Sequence, residues 1–146
     1  MRASELKVFG LLSALTEEDR EALAELLEET EVVDGESAFR EGSEGEGLLL
    51  LVRGQLNLKS NRHGGYVGSI TAPYHLGALS LFSPGQREVT AVAEGSCLIW
   101  QLSRSGLSRL SVDCPRAAFR IAEASLAEIA GLTRPVLGSM AEHGEK

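Results

Sequence analysis

The chain has 146 residues, 43% hydrophobic and 24% charged, the balance of one globular domain and too short for two ordinary ones. Its formal charge of -7 is unevenly placed: residues 1–46 hold 14 of the 21 acids and 4 of the 14 bases. This acidity argues against stand-alone nucleic-acid binding, which wants a basic face. No apolar run approaches the roughly 20 residues needed to span a bilayer. The N-terminus Met1-Arg2-Ala3-Ser4-Glu5 lacks the apolar core of a signal peptide. A cytoplasmic protein without a membrane partner is expected.

Leu6, Val8, Phe9, Leu11 and Leu12 form a mixed apolar run that fits a short helix and a tucked connection. Thr16-Glu17-Glu18-Asp19 is a capped helix start, with acids in the first turn where the helix dipole favours them. Ala22, Leu23, Leu26 and Leu27 give that helix one apolar stripe, so it covers a core made by something else.

From Glu31 the period changes. Val32-Val33, residues 37–40, 48–52, 55–59, 66–71, 88–93 and 96–102 read as short strands separated by Gly and Pro turn signals. Such regular punctuation predicts a jelly-roll-like β-roll. Leu48-Leu49-Leu50-Leu51-Val52 is apolar on both faces and is expected inside the sheet. Asn61-Arg62-His63-Gly64-Gly65 reads as a hairpin tip, and Cys97 and Trp100 as core residues. Ser103 caps a short helix. After Pro115 a longer helix carries Phe119, Ala122, Leu126, Ile129 and Thr133 on one wide stripe, with Ile121, Ser125 and Leu132 beside it. One side of that helix can pack on the roll and the other on a second copy, so a homodimer through it, or a protein partner, is expected. Pro135 is expected to end it, dividing the chain into a domain of residues 1–137 and a flexible tail of 138–146.

The stretch most suggestive of chemistry runs from Leu76 to Ala91. Gly77 enters a short apolar segment, Ala78 to Phe82, then Ser83-Pro84-Gly85 turns the chain, and Arg87-Glu88-Val89 leads into a strand. A helical turn opening at Gly77 leaves leading backbone N–H groups without internal partners, and Arg87 supplies a planar cation, so a small anionic ligand is a candidate. His75 reads as a surface histidine, with an acid such as Glu88 a conceivable partner. His63, His75 and His143 are scattered, with no His-x-His pair, and no Gly-x-Ser-x-Gly is present. Neither a metal site nor an enzyme is indicated.

The order of these parts resembles the cyclic nucleotide-binding domain family. The residues that carry the resemblance are Phe9 with Leu12 and Leu15; Gly35-Glu36; Glu41-Gly42-Ser43; Leu48 to Val52 with Gly54; Leu76-Gly77 with Leu79 and Leu81; and Arg87 with Thr90. It implies a mainly β fold, a double-stranded β-helix with N-terminal helices and a long C-terminal helix. It also implies a phosphate cassette of Gly77, Ala78, Leu79, Arg87, Glu88 and Val89 for cyclic AMP or cyclic GMP. Leu132 and Thr133 fall where family members contact the base.

Two departures weigh against tight binding. The family's Glu, which accepts from the ribose 2′-hydroxyl, is Ala78 here, and losing such a bond costs roughly 10- to 100-fold in affinity. The small residue after the Arg is Glu88, a carboxylate that repels a phosphate about 5 Å away by on the order of 3 kcal/mol at an effective dielectric near 20 unless it swings into water. The sequence therefore leaves two readings open: a sensor with weak or no cyclic nucleotide binding, or a ligand-free interaction or dimerisation module that keeps the fold. The few residues after Thr133 are too few for the helix-turn-helix that follows the long helix in the family's transcription factors, so no DNA-binding unit is expected.

Overall fold

The computed structural model describes residues 2–45, 47–62, 64–83 and 85–144. His63 of the expected hairpin tip and Pro84 of the expected turn lie outside the described residues. Two 3-10 turns, Ala3–Val8 and Gly10–Leu12, precede helix α1, Glu17–Ala24. The Thr16 hydroxyl accepts from the Asp19 N–H at 3.2 Å while the Asp19 carboxylate accepts from the Thr16 N–H at 3.0 Å, a reciprocal cap that sets where α1 begins.

The strands are β1 Glu28–Val32, β2 Ser37–Phe39, β3 Glu44–Gly45, β4 Gly47–Ser60, β5 Gly65–Thr71, β6 Tyr74–Leu76, β7 Gly85–Gln86 and β8 Thr90–Ser103. The main sheet is antiparallel in the order β1-β8-β4-β5, with β2 on β8 and β6 on β4; β3 and β7 form a separate small pair. Helix α2, Arg104–Asp113, and helix α3, Pro115–Gly144, complete the fold, which is the rolled antiparallel sheet with flanking helices that the sequence predicts.

The spine is the pairing of β4 with β8, each 14 residues long. Along β4, Leu48 and Leu50 join one apolar cluster with Phe9, Leu23, Trp100, Leu110 and Ile121, between sheet and helices. Leu49 and Leu51 join a second with Val32, Leu56, Ala91 and Ile99 inside the roll. The alternation of a strand thus sends successive leucines into two cores, and each fully buried leucine contributes about 1.5–3 kcal/mol. Trp100 is buried as expected, and its indole N–H donates to the Glu29 carboxylate at 2.9 Å.

Three expectations are corrected. The segments 48–52 and 55–59 are one strand, and the expected 88–93 and 96–102 merge into β8, which begins only at Thr90, because Gly54 and Gly95 do not break the ladder; the register shifts around Arg53 and the pairing resumes. Strand β1 begins at Glu28, earlier than its apolar residues indicate. Helix α3 does not stop at Pro135. It continues to Gly144, since a proline removes one N–H and bends a helix without forbidding the residues beyond it. Residues 138–144 of the expected tail are therefore helical, and Glu145 and Lys146 lie outside the described residues.

Candidate functional site

Gly77 joins β6 to a 3-10 turn, Ala78–Leu81, with φ of 76°, in the left-handed region that favours glycine. A β-carbon there would stand 2.5 Å from Arg87 Nη1 and 2.8 Å from the Gly47 carbonyl oxygen. The site therefore needs glycine for both conformation and space. Ala78 and Leu81 are buried in the cluster beneath the helices and anchor the turn, while Leu79 is exposed. Inside the turn the Ser80 N–H donates to the Gly77 carbonyl at 2.9 Å, so the leading amides are those of Ala78 and Leu79.

Arg87 reaches the same place from the other side of the roll. Its backbone is held at both ends: its N–H donates to the Ser43 carbonyl at 2.7 Å, and its carbonyl accepts from the Gly42 N–H at 2.8 Å. Its guanidinium carbon lies 4.7 Å from the centre of the Phe39 ring, and Nη2 donates to the Gly47 carbonyl at 3.4 Å. Gly45 leaves room for Nε, which would be 3.3 Å from a β-carbon at that position. The cation is thus stacked, flanked by glycines and directed at the Gly77 turn.

Two hollows flank this contact. One, of about 150 Å³, lies between the 3-10 turn and α3 and is lined by Gly77, Ala78 and Leu79 on one wall and Ser125, Glu128, Ile129 and Leu132 on the other. The second, of about 220 Å³, is lined by Arg87 and Glu88 with Glu41, Gly42, Arg62 and Gln86. Gly77 and Arg87 touch, but each lines a different hollow. Glu88 is exposed, and Val89 is half-buried in the bend before β8. Glu41 accepts from the Ser60 hydroxyl at 2.8 Å and the Asn61 N–H at 3.0 Å, and these bonds hold its carboxyl below the usual range. Of the two residues expected near a base, Leu132 lines the first hollow. Thr133 is not among its lining residues, and its hydroxyl donates to the Ile129 carbonyl at 2.8 Å.

The partner of His75 is Glu128 and not Glu88: Nε2 lies 3.2 and 3.1 Å from the two Glu128 oxygens. Neither Glu128 nor the Phe39 stack on Arg87 is legible in sequence, because 53 residues separate His75 from Glu128 and no spacing rule links them. Among the described residues, no group of three His, Cys, Asp or Glu side chains is placed to hold a metal ion, and no helix is long and apolar enough to cross a membrane.

The fold is a rolled antiparallel sheet with flanking helices, in which Gly77 and Arg87 meet. A family model described as Cyclic nucleotide-binding domain matches residues 31–113, a span that contains both Gly77 and Arg87. The chain belongs to the cyclic nucleotide-binding domain family. It is similar to a cAMP-dependent protein kinase regulatory subunit of Blastocladiella emersonii, 28% identical over an alignment of 133 residues, with 89% of this chain and 32% of the relative covered. The chain thus spans about a third of the length of that curated relative. Among solved structures it is similar to the N-terminal domain of a transcriptional regulator from Streptomyces coelicolor A3(2), with a TM-score of 0.78 and 23% identity, covering 86% of this chain and 90% of that one. It is also similar to the regulatory domain of Toxoplasma gondii PKA in a co-crystal with cAMP, with a TM-score of 0.63 and 23% identity, covering 74% of this chain and 42% of that one. At these identities the two structures establish a shared fold.

Proposed function

We propose that the chain is a cytoplasmic sensor and regulatory domain that takes cyclic AMP or cyclic GMP weakly, with the phosphate at the Gly77 turn and Arg87. The observation that carries this reading is the Arg87 guanidinium, stacked on Phe39 and held against Gly77 beside the leading amides of Ala78 and Leu79. Backbone donors and a fixed guanidinium together form the chemistry that recognises a phosphate. Affinity is low because Ala78 offers no acceptor and Glu88 adds a negative charge beside Arg87. Free thiols at Cys97 and Cys114 fit a reducing compartment.

Titration calorimetry tests this. We expect dissociation constants weaker than about 10 μM for both nucleotides, the regime in which binding contributes less than roughly 7 kcal/mol. A submicromolar constant overturns the low affinity, and no heat at millimolar nucleotide overturns the sensor.

A second reading, a homodimer through α3 that does not need ligand, is favoured by one specific feature. Phe119, Leu126, Thr133 and Met140 stand one heptad apart, with Ala122, Ile129 and Val136 between them, in the pattern of a coiled-coil seam. Phe119 is 64% exposed, Leu126 66% and Met140 63%. The fully buried residues of the same helix are others, Ala117, Ile121 and Ser125, while Ile129, half-buried, also lines the hollow beside Gly77.

A further inference from the structure

We propose that Glu128, held in place by His75, recognises a ligand hydroxyl in the position left without an acceptor by Ala78. This inference rests on the reading of the Gly77 turn as a nucleotide site and adds to it a residue on α3.

The argument begins with what lines the hollow. The hollow lies between the 3-10 turn and α3, and Ala78, on its turn side, has no hydrogen-bonding group in its side chain. Of the seven lining residues, Glu128 is the one that carries a charge. Ser125 gives its one proton to the Ile121 carbonyl at 2.8 Å, and its neutral oxygen is a weaker acceptor than the Glu128 carboxylate. Leu79, Ile129 and Leu132 make the rest of the wall apolar, so Glu128 is the strongest hydrogen-bond acceptor among the lining side chains, although its own side chain keeps 47% exposure.

Glu128 is also oriented. Both of its oxygens lie within hydrogen-bond reach of His75 Nε2, and His75 sits on β6, whose pairing with β4 places it opposite Leu50. A carboxylate has about four acceptor sites, and one imidazole N–H occupies at most two of them. The remaining sites accept only, so the ligand group must be a donor: an O–H or an N–H. A nucleotide offers both, a ribose 2′-hydroxyl and, on adenine or guanine, an exocyclic amine. Glu128 lines the same hollow as Ala78 and Leu79, whose amides lead the turn, and on that shared placement we assign it to the ribose hydroxyl. His75 is a positioning residue that acts through Glu128.

The test is a titration of the full chain, followed by the amide resonances of Gly77, Ala78 and Leu79, with cyclic AMP, 2′-deoxy cyclic AMP and cyclic IMP, which lacks the exocyclic amine. For the unmodified chain we expect 2′-deoxy cyclic AMP to bind about 10- to 100-fold more weakly than cyclic AMP, and cyclic IMP to bind as cyclic AMP does. Glu128→Ala abolishes that ratio and leaves the affinity for the deoxy compound unchanged. His75→Ala reduces the ratio, and His75→Gln, which keeps a donor, restores it. A ratio that survives Glu128→Ala, or equal binding of the two sugars by the unmodified chain, overturns the assignment while leaving the nucleotide site intact. A loss seen with cyclic IMP in place of the deoxy compound moves Glu128 to the base and overturns it equally. No binding of any nucleotide at millimolar concentration removes the site and the inference together.

Discussion

Asp19 on α1 and Arg120 on α3 meet at 3.0 Å across 101 residues of chain, and Arg116 closes on the same carboxylate at 3.1 Å. Asp19 is fully buried, whereas the two arginine side chains keep 30% and 51% of their exposure. One carboxylate therefore caps the first helix and fastens the last helix to it. Asp19→Asn leaves two guanidinium groups without their shared partner. We expect a loss of about 3 kcal/mol, the low end for breaking a buried pair, because both arginines can rehydrate. Urea unfolding of the variant measures it. A change within 0.5 kcal/mol, about what an ordinary surface substitution gives, would mean the contact is incidental.

The same carboxylate predicts a pH dependence. Burial works against its charge, yet the Thr16 N–H, the Arg116 guanidinium and the Thr16 hydroxyl outweigh burial and hold its pKa below the ordinary 3.8. A group whose pKa falls on folding stabilises the folded state fully above its unfolded value. That contribution disappears as the pH drops below 3.8 through the lower folded value. Comparing stability between pH 6 and 3, we expect the gap between the natural chain and Asp19→Asn to shrink as acid is added. A constant gap would assign the effect to packing.

Asp19 also marks where sequence reading stops. In the linear chain it is one of three acids in a first helical turn, and the dipole explains all three equally; that it alone is buried depends on Arg116 and Arg120 arriving from the far end. Leu48 to Leu51 carried their own answer, because a strand alternates and leucines on both faces demand two cores. Strand β1 was half-hidden for the opposite reason: Glu28, Glu29 and Glu31 lie on an edge strand whose exposed face carries no apolar mark. The glycine breaks at 54 and 95 misled because a bulge and a turn use the same residue. For the candidate site, the order of Gly77 and Arg87 was legible, whereas the Phe39 stack and the Glu128 wall follow from tertiary approach and have no local signature.

Gly77→Ala tests whether the cassette depends on close approach. The new methyl group would meet Arg87 Nη1 at 2.5 Å and the Gly47 carbonyl at 2.8 Å, and the backbone would hold a left-handed conformation that costs an alanine about 1–2 kcal/mol. Arg87 is the flexible neighbour and moves first. We expect a stability loss of about 1–3 kcal/mol together with loss of nucleotide binding. Arg87→Lys keeps the charge but not the planar stack on Phe39, and we expect it to weaken binding about 10-fold with little change in stability. If the lysine variant binds normally, the guanidinium geometry is irrelevant.

Glu88→Ser measures how much the neighbouring carboxylate matters. The sequence alone suggests a penalty on the order of 3 kcal/mol at 5 Å, but Glu88 is exposed, and water screens an exposed charge to about 1 kcal/mol or less. We therefore expect a gain of only about 2- to 5-fold in cyclic nucleotide affinity, shrinking further in 0.5 M salt. A gain of 100-fold would place the Glu88 carboxylate against the phosphate, away from solvent.

The seam on α3 makes the last prediction. Leu126 lies near the middle of the exposed heptad row, between Phe119 and Thr133, and is 66% exposed in the single chain. If two copies join there, each Leu126 sits near its counterpart and a charge at that position is buried beside a like charge. Leu126→Glu is then expected to convert a dimer to a monomer in sedimentation at micromolar concentration. The fold should survive the change, because the core-facing residues Ala117, Ile121 and Ser125 are on another face of the helix. Glu123→Ala, an exposed change outside the row, serves as the control and should leave the dimer intact. A natural chain that sediments as a monomer at these concentrations rules the seam out as a self-association surface, and the exposed row would then require a different partner.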